Sequence, residues 1–378
     1  MTGAQIIVLA TPVFLVLIAL EFAVGLARGH NTYRLADTLT SISLGVMSQV
    51  TGVFGRLLRI GLYVLVFEHV ALLKLPVDSV AVWLGALLAY DFCYYWHHRA
   101  SHRVALFWAA HVVHHQSEDY NLGTALRQTS SGFVFGWLFY LPLALAGVPP
   151  VVFATVALID LLYQFWVHTQ QIGRLGWFDR WFVSPSNHRV HHAVNERYLD
   201  RNYGGILIVW DRLFNSYADE DEAEPIVYGT RAPLRRWCPL VANLDVYRGL
   251  AFDSWHAQRA LDKLKVWLMP PGWRPADVAA RFPRPAFEIS QVQRHEAAVP
   301  LRVQARAAAL FGLVLVATSG FLWVAHTLAA AQLAGAAAAL VAALWGAGRL
   351  LEGRQPLPAQ AEAAAAAEAP TSDGRASR

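Results

Sequence analysis

The chain has 378 residues, 56% of them apolar and 15% charged, and a formal net charge of +4. That balance excludes an ordinary soluble protein, and the charge calls for no nucleic acid, because basic residues beside apolar spans are expected on the cytoplasmic side of a membrane. Two cysteines, Cys93 and Cys238, exclude a disulfide framework and a sulfur-rich metal site.

The elements divide the chain into five parts. Residues 1–34 hold a first apolar stretch, "IIVLATPVFLVLIALEFAVGLA". It has no basic region before it and no small-residue cleavage pattern after it, so it reads as a retained membrane helix and not a signal peptide. Residues 35–220 follow as the histidine-rich domain. There, "LTSISLGVMSQVTGVFG" is too mixed for a span and belongs at the interface or inside the bundle, while spans are expected near 57–75, 79–96, 131–149 and 151–168. The last two reverse at "AGVPP". Residues 221–300 form a cytoplasmic or interfacial segment in which "FDSWHAQRALDKLKVWLMPPGW" mixes basic and bulky apolar side chains. Residues 301–350 form a final transmembrane hairpin near 304–323 and 325–347, and residues 351–378 an Ala-rich disordered tail. Arg28, Arg34, Arg56, Arg59, Arg99, Arg103, Arg174 and Arg180 all fall on one side if the amino terminus lies outside, which places the segments between them in the cytoplasm. The fold expected is an all-α, multi-span helical bundle with a cytoplasmic, histidine-lined di-metal site.

Ten of the fifteen histidines lie between 97 and 192. They form three clusters: His98 and His102 in "YYWHHRASH", His111, His114 and His115 in "HVVHH", and His188, His191 and His192 in "HRVHH". On helices, each cluster places its rings three or four positions apart on one face. "SPSNHRVHH" offers Ser184 as the cap and Pro185 as the first helical residue, and "RVALFWAAHVVHH" reads as one helix ending in its cluster. A lone histidine is usually a satisfied core residue, but these eight together point to metal. Neutral imidazoles suit iron, zinc, copper or nickel. Eight exceed the four ligands of a structural zinc, so two metals are the economical reading. His168, at the cytoplasmic end of its span, either completes the metal shell or hydrogen-bonds it. His97 cannot share a face with His98 and is expected beside the ligands or at the interface, and His256 lies outside the site.

The ordered set "YWHHRASH", "HVVHH" and "HRVHH", interrupted by two spans, resembles the fatty acid hydroxylase and sterol desaturase superfamily over roughly residues 35–220. "HHQSEDYNLGTALRQ", "RYLDRNYGGILIVWDRLFNSYADEDEAEPIVYG" and "EPIVYGTRAPL" look like its alkylglycerol monooxygenase branch. The resemblance implies two iron ions held by His98, His102, His111, His114, His115, His188, His191 and His192, with His168 the uncertain addition. It also implies a lipid substrate, dioxygen, and electrons from tetrahydrobiopterin or a separate reductase as redox partner. The expected reaction is hydroxylation of a lipid carbon. Beside an ether oxygen it would release an aldehyde and a glycerol product. The ordering of spans suits the bacterial inner membrane with the site on the cytoplasmic side, or the endoplasmic reticulum if the source is eukaryotic.

Carboxylates near the clusters, Asp91, Glu118, Asp119 and Asp211, are candidates to accept the outer proton of a ligand histidine. Asp211 with Arg212 is equally readable as a structural ion pair. Asn121 reads as a partner of a metal ligand, with a helix cap as the alternative. Arg127 reads as an interfacial charge, with anionic-lipid binding as the alternative. "NYGG" at 202–205 allows close backbone packing and lacks the rest of a phosphate loop. A desaturase, or a hydroxylase of fatty acids, sterols or carotenoids, is the competing catalytic reading. A histidine-rich metal transporter is the competing non-enzymatic one, disfavoured because its ligands would cluster at one membrane end and not along a path through it.

Overall fold

The computed structural model describes residues 2–352 apart from 56 and 298. Arg56, and the expected tail from 353 onward, therefore lie outside the described residues.

Helix α1 (Gly3–Ala27) opens with a reciprocal cap between Thr2 and Gln5. Its apolar side chains are not confined to one stripe: Leu9, Val13, Val16 and Leu20 are all more than half exposed. A helix apolar all round is suited to a hydrocarbon environment and not to water. The mixed segment forms α2 (Leu35–Gly52), which lies inside the bundle with Leu44 and Val50 fully buried.

Two expected spans are broken. Residues 57–75 supply only a short π-helical turn and α3 (Leu62–His69), and residues 131–149 supply a 3-10 turn and α8 (Trp137–Leu145). With their adjoining turns the two segments run Leu57–His69 and Gly132–Leu145, a rise of roughly 20 Å that falls short of a ~30 Å hydrocarbon core. The chain returns between them through backbone bonds from Leu72 N to Leu145 O (2.8 Å) and Leu75 N to Gly147 O (3.1 Å). Gly147 has φ +89° and a Cβ there would sit 2.0 Å from Leu73 O, so only glycine fits this reversal. Pro150 then starts α9 (Pro150–Trp166).

Helix α4 (Val80–Arg103), by contrast, runs past its expected end and carries His97, His98 and His102 on its final turns. The expected single helix over 103–115 is interrupted: α5 (Ala105–Ala109) and α6 (Val112–His115) are separated at Ala110 and His111. There the backbone switches to i to i+3 bonding, with His111 N on Trp108 O at 2.8 Å and His114 N on His111 O at 3.0 Å. Short helices α7 (Leu122–Ala125), α10 (Pro185–His191) and α11 (Val209–Leu213) stud the loops at the histidine end.

Beyond them come α12 (Pro239–His256), α13 (Ala260–Leu268) and α14 (Ala276–Arg281), and then the closing hairpin α15 (Leu301–Val324) and α16 (Ala330–Glu352). The hairpin packs on α2, and buried Glu352 ties its end to Arg236 at 2.9 Å and to the backbone N–H groups of Trp237 and Cys238 at 3.2 Å. Three helices among the described residues, α1, α15 and α16, are long and apolar enough to cross a membrane. Among the described residues there is no strand, only isolated bridges Phe182–Leu207 and Ala193–Tyr228.

Candidate metal centre

The three clusters, together with His168, meet at one end of the bundle in two groups. His98, His102, His111, His115 and His191 form one, and His114, His168, His188 and His192 the other, with the facing nitrogens of each group within 4.8 Å of one another. Local sequence explains each approach. On α4, His98 and His102 are one turn apart. The break at His111 lets its Nε2 come within 3.1 Å of His98 Nε2 and 3.2 Å of His115 Nε2. Helix α10 starts as its sequence suggests, with the Ser184 side chain accepting from Asn187 N and Pro185 in the first position. It then deals His188 and His191 to different groups.

The outer nitrogens decide what the inner ones can do. His98 Nδ1 donates to Tyr203 O (2.8 Å), His114 Nδ1 to Arg127 O (3.0 Å), His168 Nδ1 to Gln164 O (2.7 Å) and His191 Nδ1 to Arg201 O (3.0 Å). A carbonyl can only accept, so each neutral ring carries its proton on Nδ1 and turns a lone pair inward on Nε2. His114 and His168 Nε2 nevertheless lie 3.1 Å apart. Two converging lone pairs at that distance repel unless a cation lies between them.

Protonation gives no escape. Burial, with the neighbouring histidines adding to it, holds His111, His115, His188 and His192 well below the ordinary imidazole range, and burial pushes His114 down to about 4. The Nε2–Nε2 edges of 3.1–3.2 Å in both groups fall between the ~3.0 Å edge of an octahedron and the ~3.4 Å edge of a tetrahedron built on ~2.1 Å bonds. His102 Nε2 is buried without a hydrogen-bond partner, as a ligand atom would be. The donor set therefore fits two metal ions, one in each group.

The carboxylates of the sequence reading sit elsewhere. Asp91 accepts from Ile206 N, Leu207 N and Trp210 Nε1, fixing the loop behind the site. Glu118 and Asp119 pair with Arg34 at 3.8 and 2.8 Å, and burial followed by repulsion from Asp37 raises Asp119 to about 6. Asp211 is no ion-pair partner of Arg212: it accepts from Tyr203 N, Gly204 N and Ser216 Oγ, whereas Arg212 lies over the Tyr217 ring. Asn121 caps α7 and donates to Thr32 O. Arg127 is buried and not interfacial, with Nε on Val113 O at 2.7 Å and Nη1 on Ser41 Oγ at 3.2 Å. It thus braces α6, and its own carbonyl holds His114. In "NYGG", Gly205 packs against Asp91, Asp160 and Tyr94, where a Cβ would lie 2.5–2.9 Å from their atoms.

One carboxylate that sequence reasoning missed does face a ligand. Asp200 Oδ1 is 3.6 Å from His102 Nδ1 and Oδ2 is 3.4 Å from Arg103. Burial raises Asp200, but His102 and Arg103 outweigh it and hold the carboxyl below its usual range. Its φ of +59°, with Asn202 at +56°, is the local signal: Asp and Asn before a Gly pair tolerate the left-handed turn that carries Arg201 O and Tyr203 O to the histidines.

A cavity of about 430 Å³ opens on the site, within the usual range for small-ligand pockets of roughly 300–1,000 Å³. Its wall includes His98 and His111 of the first group and His114 and His168 of the second. Phe14, Ile42, Val46, Phe165, Leu315 and Leu322 carry it into the apolar bundle.

Comparisons with known proteins bear on the same region. Residues 83–216 match the fatty acid hydroxylase family model. Alkylglycerol monooxygenase of Homo sapiens is 42% identical over 267 residues, covering 70% of this chain and 59% of the human protein. The Xenopus tropicalis protein of that name is 38% identical over 287 residues, covering 76% and 63%. The ornithine lipid hydroxylase OlsE of Rhizobium tropici is 30% identical over 140 residues, covering 35% and 40%. The chain thus spans about three fifths of the length of the two alkylglycerol monooxygenases. No solved structure matches it.

Proposed function

We propose, from the match of residues 83–216 to the fatty acid hydroxylase family model, that the chain is a membrane-embedded, two-iron monooxygenase that hydroxylates a lipid carbon, and that glyceryl ether lipids are its substrates. The observation that carries this reading is the meeting of two histidine groups, their lone pairs turned inward, with an apolar cavity that touches both. The named relatives at 38–42% identity support the ether-lipid choice.

His98, His102, His111, His115 and His191 would hold one ion, and His114, His168, His188 and His192 the other. When bound, the ions supply the activation of dioxygen that attack on an unactivated carbon requires. The protein's part is positional. Backbone carbonyls fix the tautomers of His98, His114, His168 and His191. The cavity admits an alkyl chain along α1, α2 and α15, each methylene withdrawn from water contributing ~0.8 kcal/mol, and keeps water from the reacting carbon. One oxygen atom enters the product and the other leaves as water, which consumes two electrons and two protons; a reduced pterin or a reductase is the proposed donor. At a carbon beside an ether oxygen the product is a hemiacetal, which separates into a fatty aldehyde and glycerol.

The arginines support a cytoplasmic histidine end: Arg28 donates to Gln171 O, and Arg34 and Arg103 pair with Asp119 and Asp200 beside the site. The test is product mass spectrometry on iron-loaded protein given a 1-O-alkylglycerol, reduced tetrahydrobiopterin and oxygen-18 gas, with the aldehyde trapped rapidly. Labelled aldehyde is expected. An alkene product without label would replace hydroxylation by desaturation.

A further inference from the structure

The cavity wall has two characters. On the α1, α2 and α15 side it is mainly apolar, with Thr11, Gln49, Thr318 and Ser319 the polar side chains there and the Thr11 and Ser319 hydroxyls bonded back to their own helices; on the α4 side Tyr90, Tyr94, His97 and Ser101 face it with helical spacing, and Asp160 and Gln164 of α9 join them. Among the described residues no lysine or arginine lines it. Tyr94 OH donates to Gln164 Oε1 at 2.6 Å, and Gln164 Nε2 donates to Asp160 Oδ2 at 2.5 Å. Gln164 is thereby locked at both ends of its amide, while its backbone oxygen orients His168 at 2.7 Å. His97 belongs to neither histidine group. Its ring rests against Phe139 and Tyr140, and among the described residues its nitrogens have no hydrogen-bond partner.

We propose that Tyr94, His97 and Gln164 form a subsite for the uncharged, hydroxyl-bearing end of the lipid, holding it so that the first carbons of the tail lie against the metal-facing histidines; this rests on the lipid monooxygenase reading above. What these groups still offer is mixed: the second amide hydrogen of Gln164, the free lone pair of the Tyr94 oxygen, and a donor and an acceptor on His97. That mixture complements hydroxyls, which both donate and accept. It does not complement a phosphate, which would want cations that the described residues of this wall do not supply. Tyr94 and Gln164 each precede a metal-facing histidine, His98 and His168, by four residues, a rise of ~6 Å. A glycerol unit spans about that distance, so its hydroxyls at the subsite leave the ether-linked carbon at the histidines. Asp160 acts as a positioning residue, reaching the cavity through Gln164, since its Oδ1 is buried against Gly205.

The experiment is equilibrium binding of 1-O-hexadecylglycerol and of hexadecyl methyl ether, which has the same tail and ether but no hydroxyl, to iron-loaded, oxidised full-length protein in detergent. The wild type should prefer the glycerol ether by on the order of 10–100-fold, the worth of one or two buried hydrogen bonds. Tyr94→Phe, His97→Phe and Gln164→Leu should each bring the two affinities closer by about tenfold with iron content unchanged. Tyr94→Phe keeps the ring and its packing, so it decides the matter if Gln164→Leu does not fold. Equal binding of both ethers by the wild type, or an equal loss for both ligands in Tyr94→Phe, would overturn the subsite. Preferential binding without oxygen-18 incorporation would instead sink the ether-cleaving reading and leave the subsite standing.

Discussion

Asp200→Asn tests the proposal that the two histidine groups hold separate ions. Within the five-membered group, His102 is the ring whose outer nitrogen faces a carboxylate, at 3.6 Å. Asparagine tolerates the φ of +59° found at this position, so the backbone that presents Arg201 O and Tyr203 O should stay in place. What is lost is the charge that favours the Nδ1–H tautomer and strengthens Nε2 as a donor. Such outer partners are worth 10–100-fold in metal affinity. The contact is longer than a hydrogen bond and is shared with Arg103, so the effect should fall at the low end, about tenfold or ~1.4 kcal/mol. The assay is iron content per chain after graded chelator challenge. One ion should leave at about tenfold lower chelator while the other, held by His114, His168, His188 and His192, leaves at the wild-type concentration. Loss of both ions together, or no change in either, would refute the reasoning.

Other consequences follow from burial and fit. Gly205→Ala puts a methyl within 2.5 Å of Asp160, 2.8 Å of Tyr94 and 2.9 Å of Asp91 and should cost ~1–3 kcal/mol of stability; Gly85→Ala, with nothing within 4 Å, should cost none, and thermal unfolding in detergent compares them. The metal-free protein should lose stability as pH falls. His114 binds its proton near pH 4 when folded but near 6.5 when unfolded, so between those values the unfolded state takes up more protons; denaturant midpoints at pH 7 and 5 should fall in the apo form and be nearly level in the iron-loaded form, whose rings the metal keeps unprotonated. Glu352→Ala leaves Arg236 and the N–H groups of Trp237 and Cys238 without their carboxylate and should destabilise by about 3 kcal/mol, read as a lowered unfolding midpoint.

Much of the site was legible because its information is local. Spacings of four residues pair histidines that end in one group, as in His98 with His102, His111 with His115 and His188 with His192, and Ser184-Pro185 announces the helix that carries His188 and His191. How the histidines divide was not legible. His111 joins the first group and His114 the second, and the chain breaks between α5 and α6 beside them, where an apolar sequence favours an unbroken helix. His168 reaches His114 and His188 only through the packing of α9. The outer partners were missed for a similar reason. Four are backbone carbonyls, which every residue has, so no side-chain pattern marks them, and the acidic residues nearest in sequence, Glu118 and Asp119, instead close ion pairs with Arg34. In the fold, residues 57–75 and 131–149 have the apolar length of spans but make only short helices. Part of their apolar surface meets across the pair, where Tyr63 shares a core with Leu143, Ala144 and Val148, and length alone cannot separate that from a crossing.

The central claim, two metal ions held by these nine histidines, is tested most directly by counting iron in anaerobically reconstituted protein. Two irons per chain are predicted for the wild type, with one remaining in His98→Ala/His191→Ala and one in His168→Ala/His188→Ala. A single iron in the wild type, or a pair of variants that each lose all metal while still folded, would contradict it.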